Sequence, residues 1–164
     1  MLAELEPLCV ELSRNREYLD RVVGQLTEQE LAKPPREGEY SGRQTLAHLA
    51  GAERGMTALM RRMASGEQPR LKADYNNDYY NARQQEKRAN MTVAQLQAEL
   101  DESRKDLLAF IETLRPEDLD KQGDHPLYRD TNVRQVLQIL QKHERDHAQE
   151  MDAWAQQLVA ARAA

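Results

Sequence analysis

The sequence predicts an all-α fold, a four-helix bundle formed as a single domain over residues 1–164. Three observations favour it: four long segments with apolar residues at steps of three and four, few Gly and Pro (7 and 6 in 164 residues), and no credible strand. The composition, 40% apolar and 31% charged, is typical of amphipathic helices. It excludes collagen-like, low-complexity and disulfide-framework proteins.

The first helix is predicted between about Leu2 and Leu26, where apolar residues recur every three or four positions. Asn15 stands in this apolar seam, so we expect it to need a hydrogen-bond partner. Thr27-Glu-Gln-Glu30 has the form of a capping box that opens a short turn, and Pro34 and Pro35 end that turn.

The second helix is predicted from about Ser41, where Ser41-Gly-Arg-Gln44 again has capping-box form, to Ala64. His48 falls on the flank of its apolar stripe. Residues 65–90 then form a long polar connection between helices two and three, and it includes the cluster Tyr75-Asn-Asn-Asp-Tyr-Tyr-Asn81. Two interpretations are open, a functional loop or a connector that crosses the length of the bundle.

The third helix begins after Thr92, which opens another capping box, and ends before Pro116. Residues 117–130 are predicted to be a loop with one helical turn at its start, and His125 is interpreted as a loop histidine. The fourth helix should begin near Thr131 or Asn132, run to about residue 158, and be roughly 40 Å long.

The apolar face of the fourth helix has a gap between Leu140 and Met151, and His143 and His147 occupy it. Residues i and i+4 stack on one helical face, so two imidazoles at this spacing can bind one cation. His48 from the second helix could be a third ligand, which leaves a coordination position open for chemistry. The alternatives are core histidines satisfied by hydrogen bonds, or a surface pair.

The segment His143-Glu-Arg-Asp-His147 also spells the H-E-x-x-H motif of zinc metalloproteases, with Glu144 as the general base. A protease is not favoured, because no strand is predicted beside the helix and Ala153 stands where the extended motif has Gly. Glu144 therefore has two interpretations: a catalytic general base, or a solvated residue that pairs with its neighbours.

Three stretches together carry a family resemblance: Gly38-Glu-Tyr-Ser-Gly-Arg-Gln-Thr-Leu-Ala-His48 with its continuation to Glu53, Asp78-Tyr-Tyr-Asn81, and Asn132-Val-Arg-Gln-Val-Leu with His143-x-x-x-His147. Over nearly the whole chain the sequence resembles the DinB/YfiT-like family of metal-binding four-helix bundles. The resemblance implies one divalent metal ion, zinc or nickel, bound by His48, His143 and His147. Tyr40 stands where many members have Trp, a conservative change.

The resemblance implies less about the reaction, because the family includes hydrolases, thiol S-transferases, a maleylpyruvate isomerase domain and members without assigned activity. We expect a metal-dependent enzyme that activates water or a small thiol against a small electrophilic substrate. Tyr80 and Asn81 are candidates for the wall of its substrate pocket. The alternative is a non-catalytic bundle that is stabilised by metal or binds a ligand. A homodimer is a further expectation from the family.

Several acidic residues could orient the ligating imidazoles, and Asp146, Glu150 and Glu53 are the candidates. A solvated helix face explains these acids equally well. Cys9, beside Leu8 on the first helix, is interpreted as a small buried hydrophobic residue rather than a catalytic thiol.

The charge pattern and the lack of targeting signals bear on partners and compartment. The net charge is −5, the isoelectric point is near 5.5, and no dense Lys/Arg run is present, so nucleic acid is not an expected partner. No stretch approaches the roughly 20 apolar residues of a membrane helix. With a single cysteine and no visible export signal, the expected location is the cytoplasm.

Overall fold

The computed structural model describes residues 1–162, and its long helices form the four-helix bundle that the sequence predicts. The helices are α1 (Glu6–Val23), α2 (Glu28–Leu31), α3 (Gly42–Ala64), α4 (Asn77–Arg88), α5 (Val93–Thr113) and α6 (Val133–Arg162). The strands are β1 (Gln122–His125) and β2 (Tyr128–Asn132). The bundle consists of α1, α3, α5 and α6, in which α3 packs against both α5 and α6, and α1 packs against α6.

Side-chain caps fix where several helices begin. Thr27, Ser41 and Thr92 each accept a hydrogen bond from the backbone amide three residues later, and the Glu or Gln at that position accepts one from the cap's own amide. All three capping boxes expected from the sequence are therefore confirmed. Each cap stabilises its helix by roughly 1 kcal/mol.

The prediction of no strand is wrong. Strands β1 and β2 form an antiparallel hairpin between α5 and α6, and β1 packs against α3. The buried residues of β1 are Gly123, Asp124 and His125, none of which is an apolar strand former. No alternation of apolar and polar residues exists here, so periodicity could not reveal the hairpin.

The connection over residues 65–90 is also more ordered than predicted, because α4 occupies nearly half of it. This helix is capped by Asn76, and only Arg88 among its residues is buried. The Arg88 guanidinium donates two hydrogen bonds to the Glu99 carboxylate, at 2.8 and 2.9 Å. A polar helix held in this way has no apolar stripe that could be read from the sequence.

The core consists of two apolar clusters stacked along the bundle. The first contains Leu12, Met56, Leu107 and Leu140 among others, and the second contains Leu19, Ala50, Leu100 and Ala148 among others. On every long helix a buried polar residue stands between the two clusters. We call these residues the polar layer, and they are Asn15, Arg16, Glu53, Ser103, Arg104 and Glu144.

Two further expectations about buried residues are confirmed. The Nδ2 atom of Asn15 donates to the Gln141 carbonyl at 2.9 Å, which supplies the partner that the seam position required. Cys9 packs in the first apolar cluster, where burial raises the pKa of its thiol. Of the helices in residues 1–162, none is sufficiently long and apolar to cross a membrane.

Candidate metal centre

The structure brings His48, His143 and His147 together between α3 and α6, at the level of the polar layer. One ring nitrogen of each lies within 4.8 Å of a ring nitrogen of the other two, and the Nε2 atoms of His48 and His143 are 3.0 Å apart. The ring centroids are separated by 4.7 to 5.2 Å. All three side chains are partly buried, so their nitrogens converge on one small volume.

The helix geometry explains this convergence. His143 and His147 follow one another by one turn on α6, in the gap of the apolar face after Leu140. His48 lies between Ala47 and Leu49, two buried residues of α3, and faces the same gap from the neighbouring helix. The Tyr40 ring lies beside His48, with a centroid separation of 5.7 Å.

A carboxylate orients one of the imidazoles. The Nδ1 atom of His147 is 2.8 Å from Oε2 of Glu150, so Nδ1 carries the proton and the lone pair of Nε2 is available to a metal. Of the three acids considered for this role, only Glu150 is in place. Asp146 pairs with Lys142 instead, and Glu53 belongs to the polar layer.

Burial keeps the other two imidazoles neutral. Desolvation, together with a smaller effect of the nearby His147, lowers the pKa of His48 to about 4. Desolvation likewise lowers the pKa of His143 to about 3, with added repulsion from His147 and His48. Because a metal binds the neutral imidazole, both residues hold their ligating form at neutral pH.

The donor set fits a divalent metal ion. Three imidazole nitrogens are typical of a catalytic zinc site, whereas a structural zinc site has four protein ligands. Within residues 1–162 no fourth His, Cys, Asp or Glu joins the group. A metal held here would keep an open coordination position.

Glu144 is the residue after His143, and its interpretation as a solvated residue is wrong. Only 3% of it is exposed, and its carboxylate accepts hydrogen bonds from Arg16 Nε at 2.8 Å and from Arg104 Nη2 at 2.6 Å. Successive helical residues point about 100° apart, so Glu144 faces the polar layer rather than the three histidines. Both of its oxygens are bound to guanidinium groups, which leaves it poorly suited to act as a general base.

A cavity of about 550 Å³ opens beside His48 and His143, and Tyr80 and Asn81 both line it, as do residues of the hairpin. His125 also lines this cavity and is not a loop histidine, because it is the last residue of β1 and is only 3% exposed. Its Nδ1 atom accepts the Leu127 amide proton at 3.2 Å. An isolated histidine in a polar segment gives no sequence signal of such burial.

A second cavity, of about 450 Å³, reaches His147 from another side. Tyr40, Glu150 and Trp154 are among its lining residues. The three histidines are therefore approached by two cavities, one at His48 and His143 and the other at His147.

Comparisons with known proteins agree with this architecture. Residues 11–151 match the model of the DinB superfamily. The uncharacterized protein YuaE from Bacillus subtilis is 26% identical over 135 residues, which are 77% of this chain and 83% of YuaE.

Among solved structures, YfiT from Bacillus subtilis, described as a probable metal-dependent hydrolase, superposes with a TM-score of 0.80. The two chains are 18% identical over 96% of this chain and 90% of YfiT. A mycothiol-dependent maleylpyruvate isomerase superposes with a TM-score of 0.75 at 14% identity, over 90% of this chain and 60% of that one. At these identities the superpositions establish the fold, and the match over residues 11–151 shows that the chain belongs to the DinB superfamily.

Proposed function

We propose that this protein is a metal-dependent enzyme in which His48, His143 and His147 hold one divalent ion, zinc or nickel. The nucleophile is water, for a hydrolase, or a small thiol, for an S-transferase, and the substrate is a small electrophilic molecule. The observation that carries the proposal is the donor set. It consists of three converging imidazoles without a fourth protein ligand among residues 1–162, and it adjoins a cavity.

A divalent ion at this position would lower the pKa of water or of a thiol and so supply a nucleophile at neutral pH. The chain's own residues prepare the site for that role. Burial keeps His48 and His143 in their neutral form, and the Glu150 carboxylate orients His147.

Two relatives support the two versions of the reaction. YfiT is described as a probable metal-dependent hydrolase, and the maleylpyruvate isomerase is described as mycothiol-dependent, which means that it uses a thiol. Either nucleophile could approach the histidines from one cavity while the electrophile occupies the other. We therefore treat hydrolysis and thiol transfer as two alternative reactions of the same site.

The test is a turnover measurement on protein loaded with zinc or nickel. Hydrolysis is followed with p-nitrophenyl esters, and thiol transfer with an aryl chloride and free cysteine. We expect one activity in the wild type and its loss in His48→Ala. His125→Gln serves as the matched control for metal content alone, because His125 lies outside the three-histidine group but lines the cavity.

If the metal-loaded wild type turns over none of these substrates while it binds one metal per chain, the result favours a non-catalytic, metal-stabilised bundle. Activity that persists in His48→Ala after the metal has been lost would contradict the proposed role of the three histidines.

A further inference from the structure

The cavity beside His48 and His143 has almost no unpaired charge on its walls. Its charged lining residues, apart from the histidines, are Arg62 and Asp124. The Nε atom of Arg62 pairs with Glu67 at 2.8 Å. The Asp124 carboxylate pairs with Arg129 at 2.6 Å and with Arg70 at 3.1 Å. Each charged group therefore already has a partner of opposite charge.

The titratable groups elsewhere on the walls are neutral as well. Burial lowers the pKa of His125 from its ordinary value, so its imidazole is uncharged at pH 7. Burial raises the pKa of Tyr75, which keeps its hydroxyl protonated. An anionic ligand would lose its hydration on entering this cavity without meeting a free cation on the walls.

Most of the remaining lining is apolar and comes from three parts of the fold. On α3, the residues His48, Ala52, Gly55 and Leu59 follow at helical steps along one face of the cavity. Ile139 contributes from α6, and the hairpin turn contributes apolar residues at its tip. The apolar residues on the walls include Ala52, Met56, Leu59, Leu71, Leu127 and Ile139.

The hydroxyl of Tyr80 is one of the uncharged polar groups on this surface, with the side chains of Tyr75, Asn77 and Asn81. A Cβ atom at position 55 would lie only 2.9 Å from the Tyr80 oxygen, so the absence of a side chain at Gly55 makes room for the hydroxyl against α3. No hydrogen-bond partner of this hydroxyl occurs among residues 1–162. Gly55 follows His48 by seven residues, which corresponds to about 10 Å along the helix.

From these observations we propose that the cavity binds an uncharged, mainly apolar small molecule whose far end accepts a hydrogen bond from the Tyr80 hydroxyl. This inference rests on the proposed function, because it assumes that the reacting end of the substrate faces His48 and His143. It adds the class of substrate, a neutral molecule rather than a carboxylate or phosphate, and it makes Tyr80 a residue that determines specificity.

Benzohydroxamates test this proposal, because their common head binds zinc and their para substituent extends away from the metal. The matched pair is 4-carbamoylbenzohydroxamate and 4-carboxybenzohydroxamate, which differ in charge but hardly in shape. On zinc-loaded wild-type protein we expect the carbamoyl compound to bind at least about 10-fold more tightly by calorimetry, since the carboxylate loses hydration without compensation. The affinities of both probes for free zinc provide the correction for the head group.

Two variants separate the roles of charge and hydrogen bonding. Tyr80→Phe should weaken the carbamoyl compound roughly fivefold and leave unsubstituted benzohydroxamate unchanged, since only one hydrogen bond is removed. Leu59→Lys places a cation on the wall and should raise the affinity of the carboxy compound, which reverses or abolishes the preference. Zinc content is measured in each variant and should equal that of the wild type.

Equal affinities of the two probes for the zinc-loaded wild type would overturn the neutral-substrate assignment while leaving the proposed metal site intact. Unchanged carbamoyl affinity in Tyr80→Phe would overturn the role of Tyr80. If the protein holds neither zinc nor nickel, the proposed function fails, and 3-phenylpropanamide is then compared with 3-phenylpropanoate on metal-free protein. A preference for the amide would uphold the character of the cavity, and no preference would overturn it.

Discussion

The Nδ1 atom of His147 and the Oε2 atom of Glu150 lie 2.8 Å apart, one helical turn from each other on α6. This contact favours the tautomer with the proton on Nδ1, which leaves the lone pair of Nε2 free, and a carboxylate partner also makes the imidazole a better donor to a metal. Glu150 itself is 71% exposed in its side chain, so its removal should not disturb the core.

We therefore expect Glu150→Ala to lower zinc affinity about 10- to 100-fold while the fold stays intact. Competition with a chromophoric chelator measures the affinity. Asp146→Ala is the matched control, because Asp146 is another carboxylate on α6 next to a proposed ligand but pairs with Lys142. Equal affinities of the two variants would contradict the orienting role of Glu150.

The three histidines should together account for the bound metal. Protein purified without a histidine tag is expected to contain about one zinc or nickel ion per chain by elemental analysis. His48→Ala, His143→Ala and His147→Ala should each lose it, because two imidazoles alone hold a metal weakly. The fourth histidine provides the control, and His125→Gln should retain the metal. Stoichiometric metal in all three alanine variants would exclude this centre.

Periodicity indicates the histidine pair of α6 because its positions repeat with the helix, whereas the family resemblance is what implies a metal bound by His48, His143 and His147. His143 and His147 fill a gap in an apolar face, and Asn15 stands in another, so each position was visible in the sequence. The side of the helix on which a single residue falls was harder to infer. No buried partner of Glu144 can be recognised from the sequence, because Arg16 and Arg104 are 128 and 40 residues away from it.

The parts of the fold that were missed lack such a repeat. The hairpin has strands of four and five residues, and its buried positions include Asp124 and His125. Asp124 is tolerated there because two arginines pair with it, and neither partner can be recognised from the sequence. Helix α4 cannot be recognised from the apolar pattern either, because the Arg88–Glu99 ion pair rather than an apolar stripe fixes it to the bundle.

The polar layer should be essential for stability. Arg104 contacts both Glu53 at 2.7 Å and Glu144 at 2.6 Å, and all three side chains are buried. Arg104→Met would leave two carboxylates with a single remaining guanidinium, that of Arg16. We expect a loss of roughly 3 to 5 kcal/mol in the free energy of unfolding, because an uncompensated buried charge is costly. Urea denaturation of the metal-free protein measures it.

Arg61→Met is the matched control for this change, because Arg61 pairs with Asp106 on the surface and should contribute less than about 1 kcal/mol. Similar losses in the two variants would show that the polar layer adds no special stability.

Glu144→Gln tests the same layer by changing one of its carboxylates. It should lower stability while metal content stays at the wild-type level, whereas a general base would affect turnover without affecting stability.

The stability of the metal-free protein should fall on mild acidification because of the buried histidines. The pKa of His48 is about 4 and that of His143 about 3 in the folded chain, against an ordinary value of 6.5. Between these values and 6.5 the unfolded chain binds more protons, so the free energy of unfolding increases with pH in this window. The contribution of these two neutral histidines to the free energy of unfolding is fully present above pH 6.5 and is lost as the pH falls toward 4.

Urea denaturation in EDTA at pH 7 and pH 5 measures this change, and we expect a decrease of roughly 2 to 4 kcal/mol. This range lies above the window in which ion-paired carboxylates lose most of their contribution. Asp118, for example, has its pKa held below the usual range by hydrogen bonds from Arg115 and Lys121. A double variant, His48→Gln with His143→Gln, removes the two titrating groups and should flatten the dependence, apart from the smaller contribution of His125. An unchanged slope in that variant would show that the acid sensitivity arises elsewhere in the chain.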